Sequence, residues 1–358
     1  MSLLRRLALL LVLACSCFAG PTLAAEVPGA AWPVIAPKAA GWSESDLAKA
    51  QSYSEDIGSS AVVIVQHGRI VAAWGDIARP IELHSVRKSF LNALIGIAVK
   101  DGKIEPSATL AELGIDDNPP SLTPEEKGAR VIDLLRARSG VYHPALYETA
   151  AMAAQRPPRG SHAPGTFWYY NNWDFNTLGI IYERATGASI FEEFDRLIAK
   201  PIGMEDYRPS DGRYVTGSAS LMRAYPFHMS ARDLARFALL YLDGGRWGER
   251  QIVPEEWVKE STAPYSESAF GPHYGMLWWT GPLAAGHGNL MPLPAGSYFA
   301  LGYGGQYAFV LPPLDMVVVH VMDRDGPGRE LPMHEMARLL WLLLHAAGSK
   351  EMPAEPPF

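Results

Sequence analysis

The chain has 358 residues, in which 31 lysines and arginines stand against 38 aspartates and glutamates, so its formal net charge is −7. An acidic chain without a basic stripe argues against a nucleic-acid partner. Its length is ample for one large hydrophobic core that carries an inserted subdomain. Length and charge therefore agree with a globular chain that does not bind nucleic acid.

The first 25 residues resemble a secretory signal peptide. Arg5 and Arg6 precede the apolar run 7–14, and small residues follow through Ala25, a pattern typical of a cleaved leader rather than a membrane span. The protein is therefore predicted to be exported, to a bacterial periplasm or to the medium. Cleavage would change the formal net charge from −7 to −9, because both arginines are lost and the leader has no acidic residue.

Both cysteines, Cys15 and Cys17, lie in this leader, so the exported domain is predicted to have no internal disulfide. A second interpretation of the leader stays open. Val12-Leu13-Ala14-Cys15 resembles a bacterial lipobox, although Leu13 is atypical at its middle position. Cleavage there would leave a lipid anchor on Cys15, and contact with a membrane is predicted only for this form.

The exported part begins with a helix and a hairpin. Residues 42–53 have a helical pattern, with Ser43 or Ser45 as the cap. The apolar runs 61–66 and 70–74 are separated by a short turn, which predicts two paired strands.

Ser85-Val86-Arg87-Lys88 follows, just before the apolar run 90–99 of a helix predicted to stop near residue 102. Of the nine lysines, only Lys88 has a serine three residues upstream, and on a helix the two side chains share a face. A serine hydroxyl becomes a nucleophile when a neighbour takes its proton, and an amine whose pKa is lowered by desolvation or nearby positive charge can do so. An N-cap serine followed by a solvated lysine is the plainer alternative.

The middle of the chain, residues 106–250, has a mainly helical pattern interrupted by proline-rich loops. Within it, residues 164–172 precede an amphipathic helix predicted to end near Gly187. This segment places Tyr170 and Asn172 two positions apart, where a loop meets a helix.

Strand patterns return near the C-terminus, at residues 274–279, 298–301, 307–311 and 316–322, and a last helix is predicted over 333–347. A glycine-rich segment precedes the third of these strands. Its small residues would let a backbone approach a ligand closely, although a plain tight turn would use the same glycines.

These elements predict an α+β fold, with an antiparallel sheet built from both chain ends, terminal helices beside it and a mainly helical subdomain inserted. Residues 26–105 and 251–350 are predicted to form the sheet subdomain and 106–250 the inserted one. Residues 351–358 are predicted to be a loose tail. A functional site is expected in the cleft between the two subdomains.

The Ser85 motif, the segment with Tyr170 and Asn172, and the glycine-rich segment 302–306 resemble, in this order and separation, the class C β-lactamase and penicillin-binding protein superfamily of serine hydrolases. The similarity is greatest to its esterase-like and 6-aminohexanoate-dimer-hydrolase-like branch. Further stretches that look like this family are residues 229–237, 244–247, 253–257 and 274–279. The resemblance implies a β-lactamase/transpeptidase-like fold and a serine hydrolase that uses no cofactor.

The resemblance also implies roles for individual residues. Ser85 matches the acylated nucleophile, and Lys88 matches the base that activates it. Tyr170 matches the tyrosine that exchanges protons with Lys88, and Asn172 matches the residue that holds Lys88 and the substrate amide or ester. Tyr169 is the second choice for the tyrosine, because an asparagine also lies two positions after it.

The third motif departs from the β-lactamase pattern. Tyr303 and Gly304 stand where penicillin-recognising relatives carry lysine or histidine followed by threonine, and Gly305 comes next. The cation that would meet a β-lactam carboxylate is missing, which favours esters, or amides without an anionic group at that position. By the resemblance, the backbone N–H groups of Ser85 and Gln306 would bind the oxyanion.

Other features carry weaker predictions. The aromatic residues near the motifs suggest an apolar substrate pocket, although each is also a good core residue; they are Trp168, Trp173, Trp278, Trp279 and Tyr298. His334-Glu335 begins like a zinc-peptidase helix, but Arg338 stands where the second histidine is required, so no metal site is predicted.

The sequence therefore predicts an exported serine hydrolase whose substrate is a small ester, amide or lactam. Two alternatives stay open. One is β-lactamase or D-amino-acid peptidase activity, and the other is a non-catalytic, penicillin-binding-like protein that kept the fold without turnover.

Overall fold

The computed structural model describes residues 27–268, 273–281, 291–323 and 330–349. The predicted signal peptide with Cys15 and Cys17, and the predicted tail at 351–358, lie outside these residues. The helices of the described part are α1 (Glu44–Asp56), α2 (Arg87–Lys100), α3 (Val131–Leu135), α4 (Ala150–Ala154), α5 (Asn172–Thr186), α6 (Ile190–Phe194), α7 (Ala231–Leu242), α8 (Glu255–Ser261) and α9 (Met333–Ala346).

The strands of the described part are mostly short in the middle of the chain and longer near its ends. They are β1 (Ala61–Gln66), β2 (Arg69–Gly75), β3 (Ile81–Glu82), β4 (Val215–Gly217), β5 (Ser220–Ala224), β6 (His228–Met229), β7 (Arg246–Trp247), β8 (Arg250–Gln251), β9 (Ser266–Glu267), β10 (His273–Tyr274), β11 (Trp279–Thr280), β12 (Tyr298–Gly302), β13 (Gln306–Leu311) and β14 (Met316–Val321).

Eight strands form one antiparallel sheet in the order β2-β1-β14-β13-β12-β11-β10-β9. The N-terminal hairpin joins the last strand through pairs such as Val63 with Val319, so the sheet is built from both chain ends, as the sequence predicts. Every residue of β13 and β14 is buried, which means that both faces of the sheet centre are covered.

Helices cover the two faces. The terminal helices α1 and α9 pack against each other, and the N–H of Ser43, the N-cap of α1, donates to the carbonyl of Ala346 at 2.8 Å. Helix α7 packs on β13 and β14. These contacts confirm the predicted α+β arrangement with terminal helices.

Helix α2 runs through the core, because every side chain from Arg87 to Ile95 is buried. It packs against α5, α6 and α8. Gly96 allows the approach of α8: a Cβ at this position would lie 2.3 Å from an indole carbon of Trp257. The helix that carries Lys88 is therefore fixed from several sides.

Two local predictions differ from the structure. Residues 274–279 are not one strand but β10 and β11, joined by a turn in which Leu277 has a φ of +62° and Gly275 N–H donates to Trp278 O. The apolar run conceals this reversal, because turn and strand residues are equally buried. The predicted inserted region 106–250 also contains strands: β4 pairs with β5, β7 pairs with β8 at its end, and β6 pairs with β3, which precedes the region. All of these except β5 have at most three residues, too few to show an alternating pattern.

Candidate active site

Ser85 lies in a short 3₁₀ turn, His84–Val86, that leads directly into α2. Buried Leu83 and Val86 hold this turn in the core. Lys88 is one turn further along, and its Nζ donates to Ser85 Oγ at 2.6 Å. The structure thus brings the predicted serine and lysine together, and the lysine is not solvated.

Lys88 is enclosed by apolar and aromatic surface. Its side chain is 2% exposed, and its Nζ lies 5.0 Å from the ring centre of Tyr170 and 4.9 Å from that of Phe175. Burial, and next the positive charge of Arg87, hold the pKa of Lys88 well below its usual 10.5. A neutral amine in contact with the hydroxyl can accept its proton.

Tyr170 approaches Ser85 from the loop before α5. Burial raises the pKa of its hydroxyl to about 12, against the smaller opposing effects of the Ser85 side chain and Arg87. The phenol is therefore protonated at neutral pH and can donate. Tyr169 points elsewhere, because its hydroxyl donates to the carbonyl of Met152 at 2.8 Å.

Asn172, the first residue of α5, does not make the contact with Lys88 that the resemblance implies. Its Nδ2 donates to the carbonyl of Tyr147, and its buried Oδ1 has no hydrogen-bond partner among the described residues. The side-chain amide of Asn172, which was expected to bind the substrate, is thus hydrogen-bonded to the backbone of Tyr147, a residue with a φ of +64°. A role of Asn172 in substrate binding stays a prediction.

The third motif forms the turn between β12 and β13. Gly304 and Gly305 have φ values of +88° and +109°, which side-chain-bearing residues rarely adopt. Gly302 lies against the chain entering Ser85: a Cβ there would be 2.3 Å from the carbonyl oxygen of Leu83. This contact places the motif beside the nucleophile.

A buried histidine fastens that turn. His320 Nδ1 lies 2.6 Å from the carbonyl of Gly305, and its Nε2 lies 2.7 Å from Ser59 Oγ. The carbonyl can only accept, so Nδ1–H donates to it and Nε2 accepts from the serine. Burial lowers the pKa of His320 to about 4, which keeps the ring neutral.

The other two residues of the third motif face in different directions. Gln306 is buried, and its side chain exchanges hydrogen bonds with the backbone of Met322, at 2.6 Å and 3.2 Å. Its predicted contribution is a backbone N–H, and that role stays a prediction. Tyr303 is 44% exposed, and its ring meets that of His84 edge-on at 5.9 Å.

A cluster on the outer side of Ser85 was missed by sequence reasoning. The hydroxyl of Tyr147 donates to Glu82 and lies 3.0 Å from His84 Nδ1, and Arg213 Nη1 donates to Glu82 at 3.1 Å. We call these four residues the rim cluster. His84 has a φ of +48°, so the backbone is unusual at the residue before the nucleophile.

Charges in the rim cluster are paired. Burial alone would raise the pKa of Glu82, but hydrogen bonds from Tyr147 and Arg213 outweigh it and hold the pKa below its usual value. Glu82 is therefore ionised at neutral pH. The sequence feature that could have pointed to this cluster is His84, which immediately precedes Ser85. No sequence pattern connects Glu82 with Tyr147, which is 65 residues away along the chain.

The predicted aromatic pocket is largely core. Trp173 and Trp278 are wholly buried, and Trp279 and Tyr298 are each 6% exposed. Trp168 is more open and meets the ring of Trp279 at 6.2 Å. Of the five predicted aromatics, Trp168 has the most open side chain.

Two cavities in the described part lie away from the nucleophile. One, of about 430 Å³, borders Ile104 and Arg184. The other, of about 530 Å³, borders Trp168 and Tyr265. Neither is lined by Ser85, so contacts between functional groups rather than volume locate the site. In the described ranges, no cluster of histidine, cysteine and acidic residues fits a metal ion, and no helix is long and apolar enough to span a membrane.

Comparison with known proteins identifies the family. The β-lactamase family model matches residues 45–342, which is most of the chain. The chain belongs to the β-lactamase family. This confirms the resemblance stated from the motifs.

Individual relatives of this β-lactamase-family chain are distant. An uncharacterized protein of Alkalihalophilus pseudofirmus is 22% identical over 303 residues, or 76% of this chain and 85% of the relative. A structure from Bacillus anthracis, described as a candidate 6-aminohexanoate-dimer hydrolase, has a TM-score of 0.61 and 22% identity over 83% of this chain and 81% of the other.

EstCE1, described as a hydrolase with promiscuous acyltransferase activity, has a TM-score of 0.60 and 15% identity over 83% of this chain and 98% of its own. At such identities the structural likeness establishes the fold alone. The family and the hydrolases that share its fold together support a hydrolase.

Proposed function

We propose that the protein is an exported serine hydrolase that cleaves ester or amide bonds through an acyl-enzyme on Ser85. The observation that carries the proposal is the 2.6 Å contact between Lys88 Nζ and Ser85 Oγ, in surroundings whose burial and nearby Arg87 charge lower the pKa of the amine. A hydroxyl paired with a neutral, buried base is the arrangement that nucleophilic catalysis needs.

In the acylation step, Ser85 Oγ attacks the substrate carbonyl while Lys88 Nζ takes the hydroxyl proton. For this transfer the hydrogen bond must first run from the Ser85 hydroxyl to the uncharged amine, the reverse of the direction in which Lys88 Nζ donates to Ser85 Oγ. The negative charge develops on the carbonyl oxygen, where backbone N–H groups of Ser85 and Gln306 are the proposed donors. The tight contact of Gly302 with Leu83 supports this pairing of the two segments.

Tyr170 is the proposed link to the leaving group. Its phenol is protonated at neutral pH, so it can donate to the departing oxygen or nitrogen while it receives the proton held by Lys88. The bond between the carbonyl carbon and the leaving group breaks, which leaves the acyl group on Ser85. Water, activated by the same two side chains, then hydrolyses the ester intermediate.

The proposed substrates are esters, or amides without an anion near the third motif. Tyr303 is exposed there, and it offers an aromatic ring where a carboxylate would need a cation. Two nearby side chains, His84 and Glu82, belong to the paired rim cluster and leave no surplus positive charge. A β-lactamase or D-amino-acid peptidase, and a binding protein without turnover, are the alternatives.

Active-site labelling tests the mechanism. The exported domain is treated with a fluorophosphonate, and the adduct is located by peptide mass spectrometry. We expect labelling at Ser85 that is lost in Ser85→Ala and Lys88→Ala. The matched controls are Ser89→Ala, on the same helix, and Lys100→Ala, at its exposed end, both of which should retain labelling.

An adduct on another serine, or none on folded protein, would contradict the mechanism and favour the binding-protein alternative. A substrate panel tests the specificity: chromogenic esters should be cleaved much faster than a cephalosporin. A cephalosporin turned over as fast as the best ester would refute the argument from Tyr303. The leader is tested separately, by N-terminal sequencing of the protein recovered from a bacterial periplasm.

A further inference from the structure

Arg87 is a cation enclosed in the core beside Lys88. Its side chain is wholly buried, and its guanidinium carbon lies 4.2 Å from the ring centre of Tyr225 and 5.5 Å from that of Tyr147. Nη2 donates to Asn176 Oδ1 at a long 3.4 Å, whereas Nε and Nη1 have no hydrogen-bond partner in the described part of the chain.

Buried arginines are normally paired with a carboxylate, because an isolated charge in the interior is costly. Among the described residues, no carboxylate forms an ion pair with Arg87. Stacking on Tyr225 and one amide contact are weak compensation for a full charge. A fold that retains this cation without neutralising it keeps a strong, weakly screened positive field at the start of α2.

Lys88 is the next residue in the chain, and its amine is the proposed base. We propose that Arg87 is a positioning residue for catalysis: its buried, unneutralised charge keeps Lys88 unprotonated, ready to accept the Ser85 proton. The inference rests on the proposed function of Lys88. It assigns to Arg87, the second variable position of the Ser-x-x-Lys motif, an electrostatic role.

The other titratable groups around Lys88 do not cancel this field. Tyr170, Tyr225 and Tyr274 are buried phenols, and burial raises the pKa of each. Burial likewise raises the pKa of Asp174 to about 8, and its carboxyl is engaged by Ser139.

On the side of the rim cluster, the negative charge of Glu82 is engaged by Tyr147 and Arg213, with His84 and His228 nearby. The pKa of Lys88 is shifted in the direction that such a field produces, because burial and, after it, the charge of Arg87 both lower that pKa. The third motif, with Tyr303 at its first position, adds no cation of its own.

The test is the pH dependence of Ser85 labelling by a fluorophosphonate, measured from pH 5 to 10. The rate falls at low pH when Lys88 becomes protonated. In Arg87→Met this acidic limb should move up by about one pH unit or more, which is about a tenfold loss of rate at pH values below the limb. Arg87→Lys keeps the charge and should keep the limb in place.

Asn176→Asp gives a second route to the same result. The substitution preserves shape, leaves Arg87 in place and supplies the missing anion at the oxygen that already faces it. Neutralising the field in this way should also move the acidic limb to higher pH. A circular-dichroism melt of each variant identifies loss of folding, which would lower labelling at every pH without moving the limb.

The outcomes separate the two proposals. An acidic limb that stays in place in folded Arg87→Met or Asn176→Asp would overturn the role of Arg87, while the labelling itself would leave the hydrolase proposal intact. Absence of wild-type labelling at Ser85 at every pH would overturn the proposed function, and the inference with it.

Discussion

The two sides of Ser85 handle ionisable groups in opposite ways. On the inner side, Lys88 and Tyr170 are desolvated by aromatic neighbours. Burial lowers the pKa of Lys88 and raises that of Tyr170, so the uncharged form of each side chain is favoured. On the outer side, Glu82 is ionised and engaged by Tyr147 and Arg213. An uncharged amine can accept a proton and a protonated phenol can donate one, so the inner side is suited to proton transfer.

The outer side is suited to fixing shape. A carboxylate that accepts one hydrogen bond from a phenol and one from a guanidinium is stabilised in its ionised state and is poorly disposed to exchange protons. The rim cluster ties β3, the residue before Ser85 and the loop containing Tyr147 together. If this division is correct, substitutions on the two sides should differ sharply in their effect on activity.

The largest effect is expected for Lys88→Met, which keeps the length of the side chain and removes the base. Ester hydrolysis should fall about 1000-fold, within the range for loss of a general base. Stability at neutral pH should rise, because the fold lowers the pKa of Lys88 and so disfavours the protonated form that the unfolded chain has. Steady-state kinetics and urea unfolding check both; Lys100→Met is the exposed control.

A protein that lost both activity and stability on this substitution would contradict the interpretation of Lys88 as a desolvated base.

The pH dependence of the stability has a definite direction. Since the pKa of Lys88 is lowered in the folded state, its contribution to stability improves as pH rises toward its usual value of 10.5. Lys88→Met should therefore flatten the stability profile on the alkaline side of neutrality.

Tyr170→Phe should cost about 100-fold in kcat/KM, because it removes the proposed proton donor and leaves the ring in place. Tyr169→Phe is the matched control, since it removes a hydroxyl that donates to Met152 and should leave kcat/KM within about threefold. Ester kinetics on the pair decide between the two tyrosines. The reverse order of effects would move the catalytic role to Tyr169.

Much of this inner side could be predicted from the sequence. The spacing of Ser85 and Lys88, and the position of Tyr170 before a helix, are local patterns, and the family resemblance orders them. Long strands such as β1 and β14 also have strong local signals. The same reasoning failed for residues 274–279, where a buried turn has the composition of a strand.

The outer side could not be predicted in this way. Glu82 and Tyr147 are joined by a contact between distant segments, with no spacing rule that connects them. The burial of Arg87 is equally hidden, because arginine on a helix is usually solvent-exposed and here it is enclosed by Tyr147, Asn176 and Tyr225, which are distant in the sequence. Asn172 donates to the backbone carbonyl of Tyr147 instead of contacting Lys88, and no sequence pattern indicates this hydrogen bond.

His320→Gln tests how the third motif is held. In the folded state burial lowers the pKa of His320 to about 4, against about 6.5 in the unfolded chain. Between these values the unfolded chain binds more protons, so stability falls as pH falls, by up to about 3 kcal/mol near pH 4. Glutamine can keep hydrogen bonds without titrating, so the variant should lose less stability on acidification.

Urea unfolding at pH 7, 5.5 and 4.5 measures this slope. His334→Gln, at an exposed position in the first turn of α9, is the control and should retain the wild-type slope. Parallel slopes for wild type and His320→Gln would mean that the buried ring does not resist protonation. The fastening of Gly305 would then need another explanation.

The smallest effect is expected for Glu82→Gln, which removes the charge of the rim cluster at constant shape. The amide can still accept from Tyr147, and Ser85, Lys88 and Tyr170 keep their contacts. We expect kcat/KM for a neutral ester to change less than about threefold between pH 6 and 9, since no proton passes through a fixed, paired carboxylate. A loss comparable to that of Lys88→Met would place Glu82 in the proton path, and the division between a reactive inner side and a structural outer side would fail. A small loss accompanied by a raised KM would instead assign the cluster to substrate positioning, which leaves that division in place.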